Sequence, residues 1–158
     1  MLDENSSRIA QFTVAIILYI LAYWYSLKFA VALNDCHTDA CNKLRRAHES
    51  CLCHVRANLS PLRGDQYYIG AMDAKKREEL NGCAMTFWSA SHFYLYLLLG
   101  FFAPALFWET FIAGVGFEIY EKYAFDCHDV LDVMYNSAGF LLGRAANRLV
   151  TRAGRHND

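Results

Sequence analysis

The residues able to do chemistry in this chain are carboxylates, one imidazole and one amide, set in apolar surroundings: His92, Glu118, Glu121, Asp129, Asp132 and Asn136. Glu118 and Glu121 are three residues apart and share one helix face. Asp129, Asp132, Asn136, Gly139 and Gly143 follow at steps of three, four, three and four, a single stripe along a second helix. Ionisable groups in apolar helices are costly and turn toward a bundle interior or a wet cavity. Gathered there, an imidazole and carboxylates bind a cation or move a proton. The same residues also have simpler duties. Asp129 and Asp132 suit the N-terminus of a helix, where acidic side chains cap free N–H groups and meet the positive end of the dipole. A lone histidine at an interface makes an ordinary hydrogen bond. Gly139 and Gly143, four residues apart, form a small-residue surface that admits a close helix neighbour. No Ser-His-Asp arrangement, phosphate loop or zinc-protease helix accompanies the stripe. The six residues are therefore candidates for catalysis without a nucleophile, and no metal is expected at them.

A second reactive group is the cysteines: Cys36, Cys41, Cys51, Cys53, Cys83 and Cys127. An even number, crowded into the water-facing parts of the chain, is what a disulfide framework needs. The expected local pairing is nested, Cys36–Cys53 and Cys41–Cys51, with Cys83 left to join Cys127; it is one of many connectivities that six cysteines allow. The rival is zinc at Cys36, Cys41, Cys51 and Cys53, with His37, His48 and His54 nearby. The spacing lacks a CxxC pair, so disulfides come first, no cofactor is expected, and zinc is the runner-up. Asn58-Leu59-Ser60 is a glycosylation triplet weakened by Pro61.

The elements that must position these residues are helices. Hydrophobic residues make up 55% of the chain and charged residues 20%, with a formal net charge of −1. That leaves no basic field for nucleic acid. Charge is absent from Ile9–Leu27, roughly 28 Å of helix at ~1.5 Å per residue. This run ends in Tyr23-Trp24-Tyr25, suited to an interfacial aromatic belt. The acidic Asp3 and Glu4 before it are unlike the basic start of a signal peptide, so it reads as a retained anchor. Charge is absent again from Leu80 to Trp108, where Pro104 marks a break between two helices, with a hairpin that dips into the membrane without crossing it as the alternative. The expected fold is all-α, a polytopic membrane protein of about four transmembrane helices. These are drawn at about 9–33, 87–102, 104–123 and 130–149 in a single membrane domain, 1–158. Residues 34–85 form a cysteine-rich exoplasmic insertion, with a turn over Leu59–Asp65 and an exposed helical turn over Ala74–Asn81. Four crossings put both termini on one side, and Arg144, Arg148, Arg152 and Arg155 place that side in the cytosol. Asn34–Met85 and Ala124–Asp129 then lie on the exoplasmic or lumenal side, and His92, the glutamates and the aspartates converge at the exoplasmic end.

The series His92…Tyr96…Gly100, Glu118-x-x-Glu121 and Asp129-x-x-Asp132-x-x-x-Asn136-x-x-Gly139-x-x-x-Gly143 resembles the VanZ-like membrane proteins. The likeness covers about Ser91 to Gly143, roughly a third of the chain. In that family a His-bearing helix precedes one ending in E-x-x-Q. A loop with an arginine and aspartates then leads to a D-x-x-x-N-x-x-G-x-x-x-G helix. Here Glu121 stands where the family tends to have Gln, and the loop offers Cys127 and His128 in place of the arginine. The family has no settled biochemical activity, so the resemblance implies a fold more than a reaction.

Three function classes follow, the third a transporter or channel whose few short helices would form a pore only in an oligomer. Small size, the cysteine segment and the lack of a nucleophile point first to a structural or assembly protein. It would be a subunit of a larger membrane complex or of an enveloped particle such as a virion, with the bilayer and protein partners around it. The alternative is a VanZ-like membrane enzyme, or a small-molecule or ion-binding protein, acting at the exoplasmic interface.

Overall fold

The computed structural model describes residues 4–25, 36–48, 50–55, 57–62, 82–125 and 129–155. Helix α1 is Glu4–Tyr25, and the expected continuation to residue 33 lies outside the described residues. Helix α2, Asp39–His48, opens with Thr38 Oγ1 accepting the Cys41 N–H at 3.3 Å, an N-cap that satisfies a free donor of the first turn. Strands β1, Cys51–His54, and β2, Cys83–Thr86, pair antiparallel. Cys51 stands opposite Thr86 and His54 opposite Cys83, with irregular register between them. A 3₁₀ turn, Ser60–Leu62, lies beyond β1. The Ala74–Asn81 turn and the end of the Leu59–Asp65 turn fall outside the described residues.

Thr86 ends β2 and caps helix α3, Phe87–Phe102, its Oγ1 accepting the Ser89 N–H at 3.1 Å. Ala103 to Leu106, with Pro104 inside it, breaks the chain before helix α4, Phe107–Phe125. Helix α5 is Val130–Arg155. The core is small: Leu99, Ala103, Leu106 and Phe140, joined by Ala15 and Tyr96. Helices α3 and α5 meet backbone to backbone. A Cβ on Gly100 would collide with the Phe140 carbonyl, and one on Gly139 or Gly143 with the carbonyls of Phe93 or Leu97. At the far end of the pair Asn147 Nδ2 donates to the Phe101 carbonyl at 2.8 Å.

Three expectations are corrected here. The fold is mostly helical but not all-α, because Cys51–His54 and Cys83–Thr86 form a small sheet. Nor does it carry four transmembrane helices. Among the described residues one helix is long and apolar enough to cross a membrane, Ser6–Tyr25, with only 6% of its apolar window buried. Helix α3 is apolar but has 16 residues, roughly 24 Å, short of the ~30 Å hydrocarbon layer. Helix α4 carries Glu109, Glu118, Glu121 and Lys122, and α5 carries Asp132 and four arginines, so neither holds an apolar window of that length. The inference that an even number of crossings returns both tails to one side lapses with them. Finally, the cysteines pair as Cys36–Cys41 and Cys51–Cys83, not as a nested set. Those bonds consume three of the four thiols of the alternative zinc site, leaving Cys53 free and exposed. The nested pairing assumed a helical hairpin; the chain instead forms a β-pair that brings Cys83 beside Cys51. Cys127 lies outside the described residues.

Candidate metal centre

The helix starts and ends place the polar residues at one end of the α3–α4–α5 unit. His92 lies in the second turn of α3, Glu118 and Glu121 in the last turns of α4, and Asp129 and Asp132 at the start of α5. His92 Nδ1 stands 3.7 Å from Asp132 Oδ2 and 4.0 Å from Glu118 Oε1. One ligand atom from each of the three residues lies within 4.8 Å of the other two, and all three residues are buried. The imidazole is held between the rings of Trp88 and Phe117, at centroid distances of 5.3 and 6.0 Å. Glu118 is oriented from behind by the Asp129 backbone N–H, which donates to Oε2 at 3.3 Å and leaves Oε1 directed at His92.

Asp129 and Asp132 divide their duties. Asp129 Oδ1 accepts the Leu131 N–H at 3.1 Å, so Asp129 caps α5. Asp132 is 1% exposed and faces His92. Glu121, 2% exposed, and Asn136, 4% exposed, are buried alongside. Glu118 Oε1, Glu121 Oε1 and Asn136 Oδ1 accept no hydrogen bond. Buried acceptors without donors are uncommon and costly, and a cation satisfies several at once.

Burial governs the protonation of the cluster. It pushes the Glu118 carboxyl up to about 8 and the Glu121 carboxyl up to about 9. The charges of Asp132 and Asp129 add to both, and Glu118 adds to Glu121. Burial also lowers His92 to about 4, so its imidazole is neutral at pH 7 despite the carboxylates beside it. A neutral imidazole is the form that binds metal. One nitrogen and carboxylate oxygens suit a divalent ion such as Mn²⁺ or Zn²⁺, at bond lengths of ~2.0–2.2 Å. A modest contraction of the trio would reach those lengths.

A second layer lies one helical turn deeper. Tyr96, Gly114 and Asn136 stand four residues from His92, Glu118 and Asp132, on the same helix faces. Tyr96 Oη donates to the Thr110 carbonyl at 3.1 Å and receives the Tyr19 hydroxyl at 3.2 Å, which ties α1 to the bundle. A Cβ on Gly114 would meet Tyr96 Oη at 2.5 Å and Asn136 Nδ2 at 3.2 Å, so glycine leaves room for both polar groups. The four-residue offsets were legible in the chain for Tyr96 and Asn136. Trp88, Phe117, Tyr19 and Thr110 carried no such signal, because their places depend on how helices meet. The trio has no local ligand spacing in the sequence, because its members come from three helices. Comparison with protein-family models, curated proteins and solved structures finds no match in any of the three.

Proposed function

We propose that this chain is a membrane-anchored protein that binds a divalent cation through His92, Glu118 and Asp132. The observation that carries this reading is the buried trio of ligand atoms within 4.8 Å. The Glu118 oxygen facing that space accepts no hydrogen bond. Helix α1 supplies the anchor, and the disulfide-bearing residues 36–86 lie on the oxidising, exoplasmic side, where such bonds persist. The motif spacing shared with VanZ-like proteins supports a relationship to them and includes all three ligands. Mn²⁺ titration of the full-length protein in nanodiscs, followed by electron paramagnetic resonance, tests the assignment. One site per chain is expected, weakened about 100-fold by combining His92→Ala with Asp132→Asn. Equal binding by the variant, or none by the parent at millimolar Mn²⁺, would overturn it.

An assembly role remains a second reading, because the outside of the helical unit is unusually apolar. Trp108, Ile112, Tyr123 and Leu149 are all exposed, Tyr123 to 87%. Apolar patches of this kind mark contact with lipid or with another protein. A fixed stoichiometric ratio to a larger complex in native membranes would support it, and a chain recovered alone would count against it.

A further inference from the structure

A wide cavity among the described residues reaches His92 of the cation site. Its volume is about 540 Å³, within the range of ~300–1,000 Å³ typical of small-molecule sites. One wall is the second half of α1, Leu18 to Tyr25; the others are α3 and α4, at Leu95, Leu98, Ala113 and Phe117. Helix α1 is tied to the bundle by Arg8 Nη2, which pairs with Glu109 Oε1 at 2.7 Å, by Gln11 Oε1, which accepts the Ala105 N–H at 3.0 Å, and by the Tyr19 hydroxyl, which donates to the Thr110 carbonyl at 3.3 Å. The walls are overwhelmingly aliphatic and aromatic, but His92 and Asn136 of the polar cluster are part of the lining.

We propose that this cleft holds one chain of an anionic lipid, with its phosphate head on the cation bound by His92, Glu118 and Asp132. The proposal rests on the cation reading above. Three observations point to this occupant. The wall formed by α1 is the helix suited to a bilayer, so a lipid chain enters from the phase that α1 itself occupies. The volume and mostly apolar lining, with His92 and Asn136 as polar members, match an amphiphile rather than a compact polar solute. The charge also matches: carboxylates alone repel an anionic head, and a divalent cation between them cancels their charge and offers open coordination positions to phosphate oxygens. The cation therefore makes lipid binding conditional.

Dodecyl phosphate and Mn²⁺ are the probes, with the full-length chain in phosphatidylcholine nanodiscs. Bound Mn²⁺ should accelerate the phosphorus relaxation of dodecyl phosphate. Ala113→Phe fills the cleft at an exposed wall position. It should keep Mn²⁺ affinity, which also certifies its fold, while weakening dodecyl phosphate binding about tenfold or more. Inorganic phosphate should bind far more weakly and respond equally in parent and variant. Mn²⁺ binding with no effect of Ala113→Phe on dodecyl phosphate would overturn the lipid assignment and leave the cation site standing. Equal affinity for inorganic phosphate would do the same, reducing the ligand to a free anion. Failure to bind Mn²⁺ at all would overturn both.

Discussion

The two ends of the α3–α5 pair are built on opposite principles. At one end glycines let two backbones touch, and shape alone holds the helices: Gly100 lies on Phe140, and Gly139 and Gly143 on Phe93 and Leu97. At the other end the helices gather groups that dislike being buried: His92, Glu118, Glu121, Asp132 and Asn136. Close packing at the first end gives dispersion contact with no void. The second end leaves acceptors unmet, a local cost that persists only where the rest of the fold over-determines the geometry. The contrast teaches that the tight end makes the strained end tolerable.

The largest effect should come from breaking the tight end. Gly143→Leu should destabilise the protein by about 3 kcal/mol or more, or prevent folding, because a backbone carbonyl cannot move aside. Gly154→Leu, at a position with open space around it, should change stability by less than ~0.5 kcal/mol. Thermal unfolding in detergent separates the two. Similar losses at both positions would mean that close approach is not what holds the pair.

The polar end should respond to pH. A raised carboxyl pKa stabilises the fold below about 4.5, and that contribution is lost as pH climbs through the folded values of about 8 and 9 for Glu118 and Glu121. His92 works the other way: its lowered value means stability is gained as pH rises from about 4 through 6.5. Above pH 6.5 only the glutamates are still changing. The melting temperature of the metal-free protein should therefore fall from pH 6.5 to 9, and Glu121→Gln should flatten that fall. A profile unchanged by Glu121→Gln would remove Glu121 from the account.

Smaller effects probe the layer between the ends. Asn136→Leu should cost about 0.6–2 kcal/mol, the range of one interhelical polar contact, and leave Mn²⁺ affinity within a few-fold of the parent. A loss as large as that of Gly143→Leu would make Asn136 part of the packing rather than of the polar end. Smallest of all, Tyr19→Phe should cost about 1 kcal/mol for the hydroxyl bonded between Tyr96 and Thr110. The melting curve of that variant also reports whether α1 unfolds with the bundle or before it.

Much of the local organisation is legible residue by residue. The charge-free stretch after Arg8 is helical as far as Tyr25 because nothing in it interrupts the period or demands water, and it is the one span with membrane length among the described residues. Pro104 lies in the break between α3 and α4, where its missing N–H is not needed. The candidate site was legible only as faces: steps of three and four show which residues look the same way, and not how deep they sit. Asp129 and Asp132 illustrate the limit. They are three apart and chemically identical, yet one caps a helix and the other faces His92.

By itself, then, the amino-acid order determined what depends on neighbours three or four residues away: helical periodicity, caps, the apolar run of α1 and the single polar stripe. Tertiary structure alone decided the rest. It joined Cys51 to Cys83 across 32 residues of chain. It closed Trp88 and Phe117 over His92, left a cleft lined by α1, α3 and α4, and brought ligand atoms from three helices within 4.8 Å. The reason is physical. Local order follows from short-range sterics and hydrogen bonds, whereas a meeting of distant residues depends on how whole helices pack, and three glycines on α3 and α5 set how closely those two approach.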